Sequence, residues 1–138
     1  MRLNPPVPRQ YPSHAAFHLP AEDTAVCEAR RRVRAILHGW SVPCGDDMVL
    51  VVSELFTNAV RHSGSDTIDV ALWTADKLVY VEVTDRGCAT GDLAPRQAEL
   101  DDEGGRGLML VEALAVRWGA GSAQPGGGGH AVWAALPC

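Results

Sequence analysis

The sequence predicts an α/β protein of the α+β two-layer sandwich class, in which a mostly antiparallel sheet is covered on one face by helices. Apolar residues recur at helical spacing in residues 24–39 and 49–63, as expected for amphipathic helices. Apolar and polar residues alternate in residues 67–73 and 77–84, as expected for half-buried strands. The order places helices first and last among antiparallel strands, which is typical of helices layered on one side of a sheet.

The length of 138 residues fits one domain with one hydrophobic core. The first 14 residues are rich in proline, which denies them both helical and central-strand hydrogen bonds. The prolines of this segment are Pro5, Pro6, Pro8 and Pro12. We therefore predict a flexible Pro-rich tail over residues 1–14 and one folded domain over residues 15–138.

The charge and hydropathy of the chain argue against nucleic acid and a membrane as partners. The formal net charge is -5 and the pI is about 5.4, whereas recognition of a phosphate backbone needs a broad basic surface. The sequence shows neither a signal-peptide core nor a run of about 18 consecutive apolar residues. We expect a cytoplasmic protein with no nucleic-acid and no membrane partner.

The four cysteines show no CxxC pair and no spacing suited to zinc. They are Cys27, Cys44, Cys88 and Cys138. We expect reduced thiols that have no structural role as a set.

The first predicted elements precede the central helix. Residues 15–19 form a short apolar run closed by a proline, which fits an edge strand. Asp23 stands where a helix N-cap is expected, and the helix over residues 24–39 ends at a glycine. Its outer side carries several arginines, among them Arg31 and Arg34, for which a solvated surface is favoured over a partner-docking surface.

The second half of the chain predicts a hairpin, a long loop and a final helix with two strands. The loop lacks periodicity, and loops of this length in a compact domain are often active-site lids. The predicted elements are strands over residues 67–73 and 77–84 joined by a turn, the loop over 88–103, a buried helix over 108–115, and strands over 116–118 and 131–136 around a glycine-rich stretch.

The helix over residues 49–63 carries a polar stripe beside its apolar face. Glu54, Asn58, Arg61 and His62 are spaced so that they line up along the helix. A carboxylate, an amide and a cation in one line suit a metal–phosphate ligand. A solvated surface stripe explains the same pattern, and this helix alone does not separate the two.

Two later segments have residues suited to a nucleotide. Asp85-Arg86-Gly87 follows the second hairpin strand, where the carboxylate can accept a hydrogen bond from an exocyclic amine and the glycine admits a flat ring. Residues 104–108 read GGRGL and run into a helix, whose free N–H groups attract phosphate. Each signal is weak alone, because Asp-Gly turns and glycine loops are common.

The three segments together, in this order, resemble the GHKL superfamily of ATP-binding domains. SELFTNAVRHS is similar to the N box, DRG to the first half of the G1 box, and GGRGLMLVEALA to the G2 box. Within the superfamily the sequence is most similar to the small bacterial anti-sigma factor serine-protein kinases of the RsbW and SpoIIAB type, over about residues 15–136. The resemblance implies a Bergerat-type ATP-binding fold.

The resemblance implies a role for each matching residue, with ATP and Mg²⁺ as cofactors. Glu54 would be the general base, and Asn58 would ligate Mg²⁺. Arg61 and His62 would lie near the phosphates, and Asp85 would bind the adenine amino group. Gly87 would allow the adenine ring to approach the backbone. The residues that would wrap the phosphates are Gly105, Arg106, Gly107 and Leu108.

Two departures from the family pattern leave a second interpretation open. Ala89 stands where the G1 box usually has its second glycine, and Ala131 stands where a threonine commonly supports the adenine site. The resemblance implies a serine/threonine protein kinase that phosphorylates an anti-sigma factor antagonist. The alternative is a non-catalytic module that sequesters a sigma factor or its antagonist.

The resemblance also implies that the protein forms a dimer and binds a protein partner. It indicates a homodimer with the first helix near the interface, and a sigma factor or an anti-sigma factor antagonist as the partner. A third interpretation, the catalytic fragment of a two-component histidine kinase, is disfavoured because no helical hairpin with a phosphoacceptor histidine stands upstream.

Overall fold

The computed structural model describes residues 13–62, 64–86, 105–122 and 129–138. Their five strands form one antiparallel sheet in the order β1-β2-β3-β5-β4. The described elements, in chain order, are β1 (His14–Pro20), α1 (Ala25–Gly39), α2 (Gly45–His62), β2 (Thr67–Ala75), β3 (Leu78–Asp85), α3 (Gly105–Leu114), β4 (Arg117–Gly121) and β5 (His130–Pro137).

The described helices pack on one face of this sheet and enclose the main core. Helix α2 lies centrally, since it contacts α1, α3 and strands β2, β3 and β5. Its buried side chains, such as Phe56, meet inward residues of the central strands, such as Val81. The predicted α+β two-layer class is confirmed. Of the helices in the described ranges, none combines the length and apolarity needed to cross a membrane.

Helix α2 and strand β2 are both longer than predicted. Helix α2 begins at Gly45 rather than at residue 49, and its first turn holds Asp46 and Asp47, whose negative charges suit the positive end of a helix. Strand β2 extends to Ala75, so the hairpin turn contains only two residues, Asp76 and Lys77. Both have positive φ, 54° and 65°, as a type I′ turn requires.

A second, smaller core lies on the opposite face of the sheet. Trp73 on β2, Tyr80 on β3 and Trp133 on β5 are buried there with Ala75 and Ala135. The sequence predicts a two-layer protein with a single core, so this cluster of aromatic rings is a finding of the structure.

Cys44 and Cys138 form a disulfide, so the prediction of reduced thiols without a structural role is wrong for this pair. Their Cα atoms are 5.4 Å apart, although 94 positions separate them in sequence. The C-terminal residue comes close to Cys44 because β5 runs antiparallel to β3, back to the turn between β2 and β3. There the N–H of Cys138 donates a hydrogen bond to the carbonyl oxygen of Lys77, at 3.4 Å. Cys27 is a free, exposed thiol.

Several predictions lie outside the described residues. They concern most of the Pro-rich tail, the loop over residues 88–103 that was interpreted as a lid, and the G1-box positions Gly87 and Ala89. For residues 105–108 the structure describes the backbone. The division at residue 14 stays a prediction.

Candidate functional site

Two buried polar side chains mark the candidate site. Asn58 is 7% exposed and Asp85 is 2% exposed, and no other charged or amide side chain in the described ranges is buried to this degree. Burial of a carboxylate or an amide is costly unless hydrogen bonds or a ligand compensate for the lost water. Both residues belong to motifs that the sequence associates with a nucleotide.

Helix α2 positions the first motif because its apolar face is fixed in the core. Glu54 lies about one turn before Asn58 on the same stripe, and its side chain is half-buried. Arg61 and His62 end the helix, with Arg61 exposed and His62 half-buried. The structure therefore places all four predicted residues in the second half of α2, and Asn58 is the buried one among them.

Asp85 is the last residue of β3 and faces the helix layer. It alternates with Val81 and Val83, which belong to the main core. Its cross-strand neighbours are Ile68 on β2 and His130 on β5. The carboxylate thus lies between the sheet and the helices, at the edge where β3 ends, with an aliphatic residue on one side and an imidazole residue on the other.

The hydroxyl of Ser65 joins the segment after α2 to the end of β3. Its Oγ accepts hydrogen bonds from the backbone N–H groups of Thr67, at 3.2 Å, and of Arg86, at 3.3 Å. It also donates to the carbonyl oxygen of Thr67, at 2.7 Å. The Arg86 guanidinium binds both carboxylate oxygens of Asp69, at 3.1 and 3.0 Å. These contacts bring the end of α2 to the residue that follows Asp85.

The third motif supplies the first turn of α3. Gly105 is the first helical residue, and Arg106, Gly107 and Leu108 follow it, so the helix begins earlier than the predicted residue 108. Helix α3 packs against α2 and contributes Val111 to the main core. Free N–H groups at a helix start favour anions. The glycine-rich segment therefore joins the helix layer directly beside the helix that carries Glu54 and Asn58.

Comparison with known proteins identifies the family. Residues 19–135 match the family model of the histidine kinase-like ATPase domain. The chain belongs to the histidine kinase-like ATPase family. A serine-protein kinase RsbW of Oceanobacillus iheyensis is 30% identical over 112 residues, which cover 70% of this chain and 71% of that protein. The predicted resemblance to GHKL domains of the RsbW type is confirmed.

Membership of the histidine kinase-like ATPase family implies ATP, usually with Mg²⁺, and the donors present fit both. A carboxylate such as Asp85 is an acceptor for an exocyclic amine, and it is placed where water is excluded. The amide oxygen of Asn58 is a hard ligand of the kind that Mg²⁺ accepts beside phosphate oxygens and water. The roles of the individual residues stay predictions.

The expectation that Ala131 stands where a threonine would support the adenine site does not fit the strand register. Ala131 pairs with Thr84 and shares the face of Trp133, on the side of the sheet opposite Asp85. Its small side chain therefore cannot remove a contact from a pocket on the helix side. The residue of β5 beside Asp85 is His130, which lies directly across from it.

Ser65 and His130 are site neighbours that were not predicted from the sequence. Ser65 follows the polar stripe and precedes a strand, where serine is ordinary in turns. His130 lies far in sequence from its cross-strand neighbour Asp85, and only the pairing of β3 with β5 brings the two residues together.

Proposed function

We propose that the protein binds ATP with Mg²⁺ and transfers phosphate to a serine of a protein partner. The single observation that supports this most strongly is the burial of Asn58 and Asp85. They come from two distant motifs, and each has the chemistry that its motif requires. The similarity to a serine-protein kinase RsbW agrees with this choice.

Each of the described site residues would have its own role in binding or catalysis. Asp85 orients the nucleotide through its adenine amine, and Asn58 holds the metal ion. Glu54, one turn away on the same helix, accepts the proton of the attacking serine hydroxyl. Arg61 and His62, at the end of α2, add donors for the phosphates. Phosphoryl transfer depends mainly on positioning and charge neutralisation, which these groups would supply, together with the backbone of the first turn of α3.

The partner would be an anti-sigma factor antagonist, with a sigma factor as the protein that is sequestered. The protein would then be a cytoplasmic regulator of transcription. In a reducing cytosol, a disulfide such as Cys44–Cys138 is thermodynamically disfavoured unless it is resistant to glutathione. A reduced pair in cells would leave the proposed activity in place, because both cysteines lie outside the three motifs.

The test of this function is Glu54→Gln, which keeps the size of the side chain and removes the base. We expect unchanged ATP affinity in calorimetry and a loss of phosphate transfer of about 100-fold or more, since a general base typically contributes this much. Transfer is measured from γ-labelled ATP to a serine of a purified antagonist protein. The matched control is Glu112→Gln, an exposed carboxylate on α3, which should leave both quantities unchanged.

Two results would contradict the proposed kinase activity or the role of Glu54 in it. Transfer at the parental rate in Glu54→Gln would exclude this residue as the base. ATP binding without transfer in the parent would favour the alternative, a non-catalytic module that holds a sigma factor or its antagonist. The replacement of the second G1-box glycine by Ala89 favours that alternative, because a side chain there can narrow the pocket.

The assembly would be a homodimer in which α1 lies near the interface. The outer face of α1 is rich in arginine, and its ion pairs are exposed: Arg31 with Glu28, and Arg34 with Asp46 of α2. Arg31 and Arg32 hold the pKa of the Glu28 carboxyl down to about 2, with the Arg31 hydrogen bond as the main cause. Exposed pairs of this kind contribute little to folding stability, so they can be changed without unfolding the domain.

Reversing both charges, Arg31→Glu with Arg34→Glu, should therefore weaken dimerisation or partner binding by about tenfold or more through like-charge repulsion. The measurement is mass by sedimentation over a range of concentrations, with partner affinity beside it. Lys77→Glu, at the distant hairpin turn, is the control. Unchanged mass and affinity in the double variant would rule out a role for this face.

A further inference from the structure

The disulfide between Cys44 and Cys138 joins a buried residue to an exposed one. Cys44 is 8% exposed and belongs to the main core, whereas Cys138 is exposed. Cys44 directly precedes α2, and its carbonyl oxygen accepts a hydrogen bond from the N–H of Met48 at 3.0 Å. Cys138 directly follows β5 and is bonded to the hairpin turn through the carbonyl oxygen of Lys77. A reagent that approaches from solution therefore meets Cys138 first.

A cavity lies beside Cys138 at the hairpin end of the sheet. Its volume is about 550 Å³, within the range of about 300–1,000 Å³ that is typical of small-molecule sites. Asn58 of the candidate nucleotide site lies about 20 Å further along α2 than Cys44, so the cavity is distinct from that site. The residues that line the cavity include Cys138, Trp40, Thr74, Asp76 and Lys77.

The cavity wall carries two opposite charges, those of Asp76 and Lys77. Both side chains are exposed, and neither forms an ion pair with another residue of the described ranges. Thiols of the amino-acid type, such as cysteine and glutathione, carry a carboxylate and an ammonium group in addition to the thiol. Complementary charges raise the rate at which two molecules meet in the productive orientation. The wall therefore favours a small thiol of this type.

We propose that Cys138 is a modification site at which a low-molecular-weight thiol of the amino-acid type exchanges with the disulfide. The thiolate of the small molecule attacks Sγ of Cys138 and forms a new S–S bond with it. The bond between Cys44 and Cys138 breaks, and its electron pair leaves with Sγ of Cys44, which takes up a proton from water. The product is a mixed disulfide at Cys138 and a free thiol at Cys44. A second molecule of the thiol then attacks the mixed disulfide, which releases Cys138 as a thiol and joins the two small thiols in a disulfide.

Access decides which of the two sulfur atoms reacts. The rate of exchange depends on access to the sulfur that is attacked, which favours the exposed Cys138 over the buried Cys44. Cys44 is then the leaving group, and its position before α2 assists because the N–H groups at a helix start stabilise a thiolate. The carboxylates of Asp46 and Asp47 in the first turn act against this assistance. The difference in exposure is therefore the stronger influence.

Exchange at this site makes the link between the start of α2 and the end of β5 reversible. Exposed disulfides are the labile ones, in contrast to structural disulfides that resist small thiols. Both cysteines lie outside the three motifs, so the modification changes the stability of the domain and leaves the polar residues of the candidate site in place. The inference does not depend on the proposed kinase activity.

The first test identifies the sulfur that is modified. Cys27→Ser with Cys88→Ser leaves Cys44 and Cys138 as the cysteines of the chain. The oxidised protein is mixed with reduced glutathione, quenched with acid at early times, alkylated and mapped by mass spectrometry. We expect glutathione on Cys138 and the alkyl group on Cys44, in about tenfold excess or more over the reverse pattern. Adducts mainly on Cys44, adducts shared equally, or a bond that glutathione does not open overturn the proposal. The parent chain, mapped in the same way, decides the case if the variant does not fold.

The second test examines the charge beside Cys138. Lys77→Asn removes the ammonium group, and asparagine tolerates the positive φ of 65° at this position. The variant should slow exchange with glutathione several-fold more than exchange with 2-mercaptoethanol, because glutathione brings carboxylates in addition to its thiolate. The control is Arg30→Gln, which removes an exposed cation of α1 and should alter neither rate. Equal slowing of the two thiols, or no slowing, overturns the proposed preference for a thiol of the amino-acid type.

Discussion

Replacing Asp85 with Asn is expected to weaken ATP binding strongly while the domain stays folded. The two side chains have the same shape, but the amide can present N–H donors to the adenine amine, which is itself a donor. The site is buried, so water does not relieve this mismatch. We expect the affinity for ATP to fall by about 100-fold or more, equivalent to about 2.7 kcal/mol.

Calorimetric titration with ATP and Mg²⁺ measures this loss, and thermal unfolding without nucleotide checks the fold. Asp76→Asn is a matched control, because it makes the same change at the hairpin turn, where asparagine tolerates the positive φ of 54°. The control should bind ATP like the parent. Retention of full affinity in Asp85→Asn would show that the nucleotide, if bound, is recognised elsewhere.

The second large effect is expected on stability, from the disulfide between Cys44 and Cys138. Their separation of 94 positions means that the bond closes most of the chain into a loop. In the chain-entropy model such a loop stabilises by about 4 to 5 kcal/mol, and measured values are typically about 2–4 kcal/mol. Cys44→Ser with Cys138→Ser should therefore lower the free energy of unfolding by about 3 kcal/mol.

Urea denaturation of the oxidised parent, the reduced parent and the double variant measures this difference. The reduced parent should unfold at nearly the same concentration as the double variant. Cys27→Ser, which removes the exposed free thiol, should leave the midpoint unchanged. Identical midpoints for the oxidised and reduced parent would mean that the bond adds no stability. ATP affinity should not depend on the redox state.

The sequence predicts those parts of the fold that depend on neighbours along the chain. The apolar spacing of α2 and the alternation in β2 and β3 are local patterns, and the helix layer follows from them. Asn58 and Asp85 were found because they belong to motifs with a distinctive order. Their burial agrees with that interpretation, although no periodicity predicts that a polar side chain is buried.

The features that the sequence did not predict all depend on contacts between distant segments. The disulfide joins positions that meet only because β5 runs back to the hairpin end of the sheet. The second core needs three strands before Trp73, Tyr80 and Trp133 can stack. The face on which Ala131 lies is set by the register of β5 against β3, and a shift of one residue would exchange its position with that of its neighbours.

Helix α2 is anchored near both of its ends. At its start, Cys44 is bonded to the chain end, and after its last turn the Ser65 hydroxyl holds the backbone of Arg86. Because α2 is also packed in the main core, the Ser65 contact and this packing keep Asn58 at a set distance from Asp85 in either redox state, before any ligand arrives. The pocket is therefore preorganised along α2, and the entropy lost on nucleotide binding should come from the ligand and the segments around it rather than from this helix.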